Sequence, residues 1–97
     1  MAKITPPKHL TAEGRQLWAK LRADFQIDDS AGLVLLQAAA EAHERGQQAR
    51  RLIAEQGLTV LDRFGQAKAH PATAVERDAR AQLLAALRAL RLSPEIE

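Results

Sequence analysis

Apolar residues recur at helical spacing in three stretches of the chain, with turn-forming residues between them. The first stretch follows Thr11, a candidate N-cap, and places apolar residues on one helix face: Leu17, Trp18, Leu21 and Phe25. The second follows three candidate N-caps at 28–30 and continues to Gly57. Gly46 lies within it and marks a kink or a close helix contact. These patterns predict helices over about residues 11–24 and 30–56.

The third stretch predicts a helix over about residues 72–92. Its start is predicted from Thr73 and Glu76, which have the spacing of a capping box, and its end from Pro94, which cannot continue a helix. Between the second and third stretches, Thr59 to Leu61 favour extended structure and the next residues favour a turn. We therefore expect a small hairpin over about residues 58–69. Because a hairpin of two strands is marginal in water, it should lie on the helices or pair with a neighbouring subunit.

Composition supports a mainly α fold in a single domain. The 97 residues are 46% hydrophobic and only 3% aromatic, and the many Ala and Leu residues favour helix packing over a sheet. Residues 1–9, which contain Pro6-Pro7, are expected to form a flexible arm before a helical domain over residues 10–97. Trp18, the only tryptophan, is interpreted as a core anchor between helices. Since the chain is small and has no cysteine, we expect oligomerisation to supply further stability.

The sequence offers no recognisable catalytic site. It has no Gly-rich phosphate loop, no His-Glu-x-x-His motif and no cysteine nucleophile, so we expect neither an enzyme nor a cofactor. Glu41, His43 and Glu44 lie within one predicted helical turn, but carboxylates at this spacing more often form a solvated acidic face than a metal site. No apolar run is long enough to span a membrane, and the first residues lack the apolar core of a signal peptide. We expect a cytoplasmic protein that does not enter membranes.

Arginine dominates the basic residues, and its planar guanidinium can donate two parallel hydrogen bonds to a phosphate. The net charge of +2 permits nucleic-acid binding without requiring it. The candidates for DNA contacts are Arg45, Arg50, Arg51, Arg63 and Lys68, with Lys3 and Lys8 on the arm as secondary candidates. The alternative is that these side chains serve only solubility and weak surface ion pairs.

Several short motifs follow one another along nearly the whole chain. Pro7-Lys8-His9-Leu10 precedes a helix with a central Trp18, and an acidic residue at 28 or 29 precedes the long helix. A segment from Leu52 to Gly57 leads into the extended stretch, and His70-Pro71 precedes the last helix, which ends in Leu90-Arg91-Leu92-Ser93-Pro94. This order resembles the small subunit of tailed-bacteriophage terminases, in the branch found in many siphophages. Arg91 stands where family members usually have glycine.

The resemblance implies a ring-forming, non-catalytic factor for viral genome packaging in the host cell cytoplasm. Its partners would be further copies of itself, double-stranded viral DNA and the terminase large subunit, which holds the ATPase and nuclease. The resemblance also implies that the C-terminal region contacts neighbouring subunits or the large subunit. The candidates for partner or oligomer contacts are Trp18, Leu87, Leu90, Leu92 and Pro94.

Two other functions remain open. A small helical transcription regulator would need a helix-turn-helix motif with a polar recognition helix. The second predicted helix instead begins with Ala31, Gly32 and Leu33, which cannot read base edges by hydrogen bonding. A helical adaptor with no DNA role would leave its arginines solvated.

Overall fold

The computed structural model describes residues 3–92 and confirms the mainly α architecture, with three helices and a small antiparallel hairpin. The elements in chain order are α1 (Ala12–Phe25), α2 (Ser30–Gln56), β1 (Thr59–Leu61), β2 (Ala67–Ala69) and α3 (Pro71–Ala89). With 27 residues, α2 spans about 40 Å. Within the described residues, no helix is long and apolar enough to cross a membrane.

The long helix α2 is the scaffold on which α1 and α3 pack. A short connection over residues 26–29 reverses the chain between α1 and α2, and the hairpin reverses it again before α3. Arg45 contacts Gln82 and Arg50 contacts Glu76, so residue numbers rise along α2 as they fall along α3. The two helices are therefore antiparallel.

The main core cluster joins the segment before α1 to the facing sides of α1 and α2. Its buried members are Leu10, Trp18, Ile27, Leu36 and Ala40. Partly buried apolar residues pack against its edge: Ile4, Leu21, Leu33, Leu90 and Leu92. Trp18 is only 4% exposed, which confirms that it anchors the core. Ile4 brings the predicted arm against this core, so the flexibility of the arm stays a prediction.

Small residues let α3 lie close to α2. Ala72, Ala79 and Ala86 are buried and recur every seven residues along α3, which keeps them on one face. The helix α2 is continuous through Gly46, so it is not broken into two helices there. A Cβ atom built on Gly46 would lie 3.7 Å from the Cβ of Ala79, so the close helix contact is confirmed.

A carboxylate from α2 holds the start of α1. Thr11 is the N-cap of α1 as predicted, but its side chain makes no cap hydrogen bond. Its backbone N–H and its hydroxyl both donate to Glu44 Oε1, the hydroxyl at 2.7 Å. Gly14 leaves room for this carboxylate, because a Cβ at that position would lie 2.6 Å from Glu44 Cδ. The start of α2 is capped as predicted, with Asp29 Oδ2 accepting from the N–H of Gly32 at 2.9 Å.

The start of α3 differs from the predicted capping box. His70 is the N-cap, and its Nδ1 accepts from the N–H of Ala72 at 2.9 Å, while Nε2 donates to Gln56 Oε1 at 2.6 Å. Pro71 takes the first helical position, where its fixed φ suits the helix and its missing N–H costs nothing. Thr73 Oγ1 donates to the carbonyl of His70 at 2.7 Å. The helix therefore begins at Pro71, ahead of the residues predicted to cap it.

The end of α3 also comes earlier than predicted from Pro94, which lies outside the described residues. The helix ends at Ala89. The N–H of Leu92 donates to the carbonyl of Leu87 at 3.1 Å, and the N–H of Arg91 donates to that of Arg88 at 2.9 Å. These two bonds form a Schellman motif, with Arg91 in the left-handed region at φ 59°. This backbone turn ends the helix, so Pro94 is not required to terminate it.

This motif gives Arg91→Gly an expected stabilising effect. A residue with a Cβ atom is strained in the left-handed region by about 1–2 kcal/mol, and glycine adopts it without that cost. We expect Arg91→Gly to raise the free energy of unfolding by about 1 kcal/mol, measured by urea denaturation. Arg88→Gly is the matched control, because it removes the same charge from the last helical turn. It should lower the stability, and equal effects of the two changes would contradict the argument.

The hairpin has a two-stranded ladder and a tightly bonded turn. Val60 lies opposite Lys68, and Leu61 lies opposite Ala67. At the turn, Asp62 Oδ1 accepts from the N–H of Phe64 at 2.8 Å and from that of Gln66 at 3.0 Å. Gly65 has φ 78° and supplies the left-handed residue of the turn. The tip of the hairpin is thus fixed by the backbone and one carboxylate.

Candidate nucleic-acid interface

The three candidate arginines on α2 are exposed but engaged with neighbouring helices. Arg45 donates to Gln82 Oε1 at 2.7 Å. Arg50 lies 3.4 Å from a carboxylate oxygen of Glu76 on α3, and Arg51 lies 2.7 Å from one of Glu13 on α1. Exposed ion pairs of this kind contribute about 0–1 kcal/mol. A phosphate can therefore compete for these guanidinium groups, but the neighbouring carboxylates reduce the positive electrostatic potential that would attract it.

The two candidates on the hairpin differ from those on α2 in their ion pairing. Arg63 in the turn and Lys68 on β2 are exposed. Among the ion pairs of the described residues, neither takes part in one with an Asp or Glu. The guanidinium carbon of Arg63 lies 4.9 Å from the ring centroid of Phe64, a distance at which cation–π attraction orients the group. The hairpin therefore carries the most available positive charge among the five principal candidates.

The candidates on the arm are exposed, and the arm has a polar contact with α2. Lys3 and Lys8 both face solvent. His9 Nε2 lies 2.7 Å from Glu41 Oε2, and this hydrogen bond is the main cause that holds the pKa of the Glu41 carboxyl below its usual range. The contact holds Lys8 near the start of α1 and leaves its ammonium group accessible.

The acidic group on α2 has structural partners. Glu41 hydrogen-bonds His9, and Glu44 holds the start of α1 through Thr11. Over residues 3–92, no three His, Cys, Asp or Glu side chains are grouped closely enough to hold a metal ion. Glu41 and Glu44 therefore fasten the start of the chain to α2.

The candidates for partner contacts lie mostly at the edge of the core. Leu90 and Leu92 pack against the core cluster, and Leu87 is half-buried. Trp18 is buried in the core of its own chain and presents little surface to a second subunit. Pro94 falls outside the described residues.

The sequence patterns did not single out an exposed apolar surface. Leu61 and Phe64 on the hairpin are exposed, and so are Leu52 near the end of α2 and Val75 near the start of α3. In the sequence, Leu61 and Phe64 lie in a predicted hairpin with no assigned core partner, and this placement was the one indication that they are exposed. Leu52 and Val75 could not be separated from core residues, because their spacing matches that of the buried helix faces.

Comparisons with known proteins identify the family. The family model described as phage terminase, small subunit, matches residues 14–97, which is most of the chain. No curated protein and no solved structure matches the chain. The match begins within α1 and includes α2, the hairpin and α3. The chain therefore belongs to the phage terminase small-subunit family.

Proposed function

We propose that the protein is the DNA-recognition and regulatory subunit of a phage packaging terminase. In this proposal it is non-catalytic and acts in the host cell cytoplasm. It assembles with copies of itself, binds double-stranded viral DNA, and works with a large subunit that holds the ATPase and nuclease. The observation that carries the DNA role is the pair Arg63 and Lys68, which are exposed on the hairpin and have no carboxylate partner within residues 3–92.

The chemistry of these two side chains supports a backbone contact rather than sequence reading. A guanidinium can grip a phosphate through two hydrogen bonds, and an ammonium adds a compact charge beside it. The fixed turn at Asp62 keeps Arg63 in place, which limits the conformational entropy lost on binding. One subunit would bind DNA weakly, but repetition of the hairpin in an oligomer would add these contacts together. Arg45, Arg50, Arg51, Lys3 and Lys8 remain secondary candidates.

We expect the double change Arg63→Ala/Lys68→Ala to weaken binding to duplex DNA and to flatten its salt dependence. Each lost phosphate contact should reduce the slope of log K against log salt by about 0.9. The measurement is fluorescence anisotropy of a labelled duplex over a range of salt concentrations. Lys20→Ala/Arg88→Ala removes the same charges from exposed positions on α1 and α3 and serves as the control.

A hairpin role predicts that the control keeps the wild-type slope. Equal losses in both double variants would show that only net charge matters and would remove the hairpin from the proposal. If the wild-type protein does not bind duplex DNA at low salt, the adaptor function replaces DNA recognition. The regulator function gains no support from α2, because Gly32 and Leu36 near its start are buried against the chain itself.

A further inference from the structure

The two faces of the hairpin differ in chemistry. In the ladder, Leu61 lies opposite Ala67, so these apolar side chains share one face, whereas Lys68 shares the other face with Val60. Leu61 is 71% exposed and Phe64 in the turn is 73% exposed. Within residues 3–92, the strands contact each other far more than they contact the helices. The chain therefore presents Leu61 and Phe64, here called the hairpin tip, to solvent.

An open apolar groove lies between the end of α2 and the start of α3. It is lined mainly by Ala49, Leu52, Pro71, Ala72 and Val75, with Arg45 among its polar residues. Its volume is about 400 Å³, which lies within the range of pockets that enclose small organic groups. The hairpin tip of the same chain leaves this α2–α3 groove open, because Val75 and Phe64 are both exposed.

The chain exposes more surface than a compact monomer of its mass. Its accessible surface is 7226 Å², whereas a compact protein of this mass exposes about 5,500 Å². Its radius of gyration is 16.5 Å, against about 12.5 Å expected for a compact domain of this length. The additional surface, about 1,700 Å², is about twice the roughly 800 Å² that one subunit contributes to a standard protein interface. Two neighbouring copies of the chain, one on each side, would cover surface of this extent.

We propose that the hairpin tip of one subunit packs into the α2–α3 groove of a second copy. This inference rests on the assembly into homo-oligomers proposed above and names the surfaces that make it. Both surfaces belong to one chain, both are mainly apolar, and neither is covered by the rest of residues 3–92. Because a small domain without cysteine needs further stabilisation, a self-contact is favoured as the occupant.

The contact is head-to-tail because the tip and the groove are different surfaces. Each subunit then uses its tip on one neighbour and its groove on the other, and a repeated contact of this kind closes into a ring when the rotation allows it. Lys68 lies on the hairpin face opposite Leu61 and stays accessible to DNA. Subunit contact through the hairpin tip therefore leaves Lys68 available for a phosphate contact.

The test uses one variant for each surface. Phe64→Asp places a charge on the tip, Val75→Asp places one in the groove, and Val34→Asp is the control at an exposed valine in the first turns of α2. Light scattering at several concentrations gives the mass of each protein, and circular dichroism checks that the helices are kept. We expect wild type and Val34→Asp to assemble and each surface variant alone to be monomeric. An equimolar mixture of the two surface variants should form dimers, because one intact tip and one intact groove remain.

Other results would overturn the inference. If either surface variant keeps the wild-type mass, or if the mixture stays monomeric, the tip and the groove are not partners, although homo-oligomers of another design would still stand. A wild-type protein that is monomeric at every concentration would overturn the proposed assembly as well. A second readout uses Phe64→Cys/Val75→Cys, because the chain has no other cysteine. Mild oxidation should link its subunits into covalent oligomers, and failure to form these links would count against the contact.

Discussion

Replacing Trp18 with alanine is expected to lower the free energy of unfolding by about 3–5 kcal/mol. The indole is buried against Leu10, Ile27 and Leu36 in the largest core cluster, so its removal leaves a cavity where α1 meets α2. A small domain has only about 5–15 kcal/mol of stability in total. We therefore expect a large fall in the urea midpoint. Unfolding is monitored by circular dichroism, because the variant lacks the only tryptophan and with it the fluorescence signal.

Phe25→Ala is the matched control for Trp18→Ala. Phe25 is an exposed aromatic residue at the end of the same helix, so its truncation should cost much less than that of Trp18. The experiment also separates a core role from a subunit contact. If the loss at Trp18 were small at low protein concentration and grew as subunits assembled, Trp18 would belong to an interface and the core explanation would fail.

Replacing Ala79 with leucine is expected to cost about 1–3 kcal/mol by overpacking the contact between α2 and α3. Ala79 is 2% exposed, and a Cβ atom built on Gly46 would lie 3.7 Å from the Cβ of Ala79. The added carbon atoms would therefore press on α2 wherever they do not fit the cavity of about 140 Å³ that Gly46 and Ala79 line. Thermal unfolding by circular dichroism measures the effect as a lower Tm.

Ala81→Leu separates packing from helix propensity. Ala81 is exposed on the same helix, and alanine and leucine have similar helix propensities. This control should unfold within a degree or two of wild type. A comparable loss at both positions would show that leucine is poorly tolerated anywhere on α3, which would contradict the close-packing explanation.

Local sequence patterns predicted most of the fold, because the responsible interactions are short in range. Asp29 lies three residues before its hydrogen-bond partner Gly32, and Gly57 follows directly after α2. The ends of α3 were predicted less accurately, because at each end the residue that fixes the boundary differs from the one that the sequence pattern indicated. At the start, the imidazole of His70 is fixed by Gln56 from another helix, a partner that spacing does not reveal. At the end, the backbone turn at Arg91 stops the helix before Pro94.

The basic residues of the candidate interface were selected from residue type alone. Residue type does not reveal which of these side chains are already paired with a carboxylate. Arg50 and Arg51 are adjacent in sequence yet contact different helices, through Glu76 and Glu13. These partners depend on how α1 and α3 lie along α2, which only the packed structure provides. The predicted core position of Trp18 was correct, because a large aromatic residue on an amphipathic helix has few other favourable places.

The fastening of α1 by Glu44 has a consequence for local unfolding. α3 packs along α2 through buried alanines on successive turns, whereas α1 is held by one apolar cluster and by polar ties at its start. The segment containing α1 therefore needs less free energy to open than the α2–α3 pair does. In its opened state Leu36 and Ala40 lose their cover, while the hairpin and the helices beside it stay in place. Local opening of this segment would then expose apolar surface on α2 before the protein unfolds as a whole.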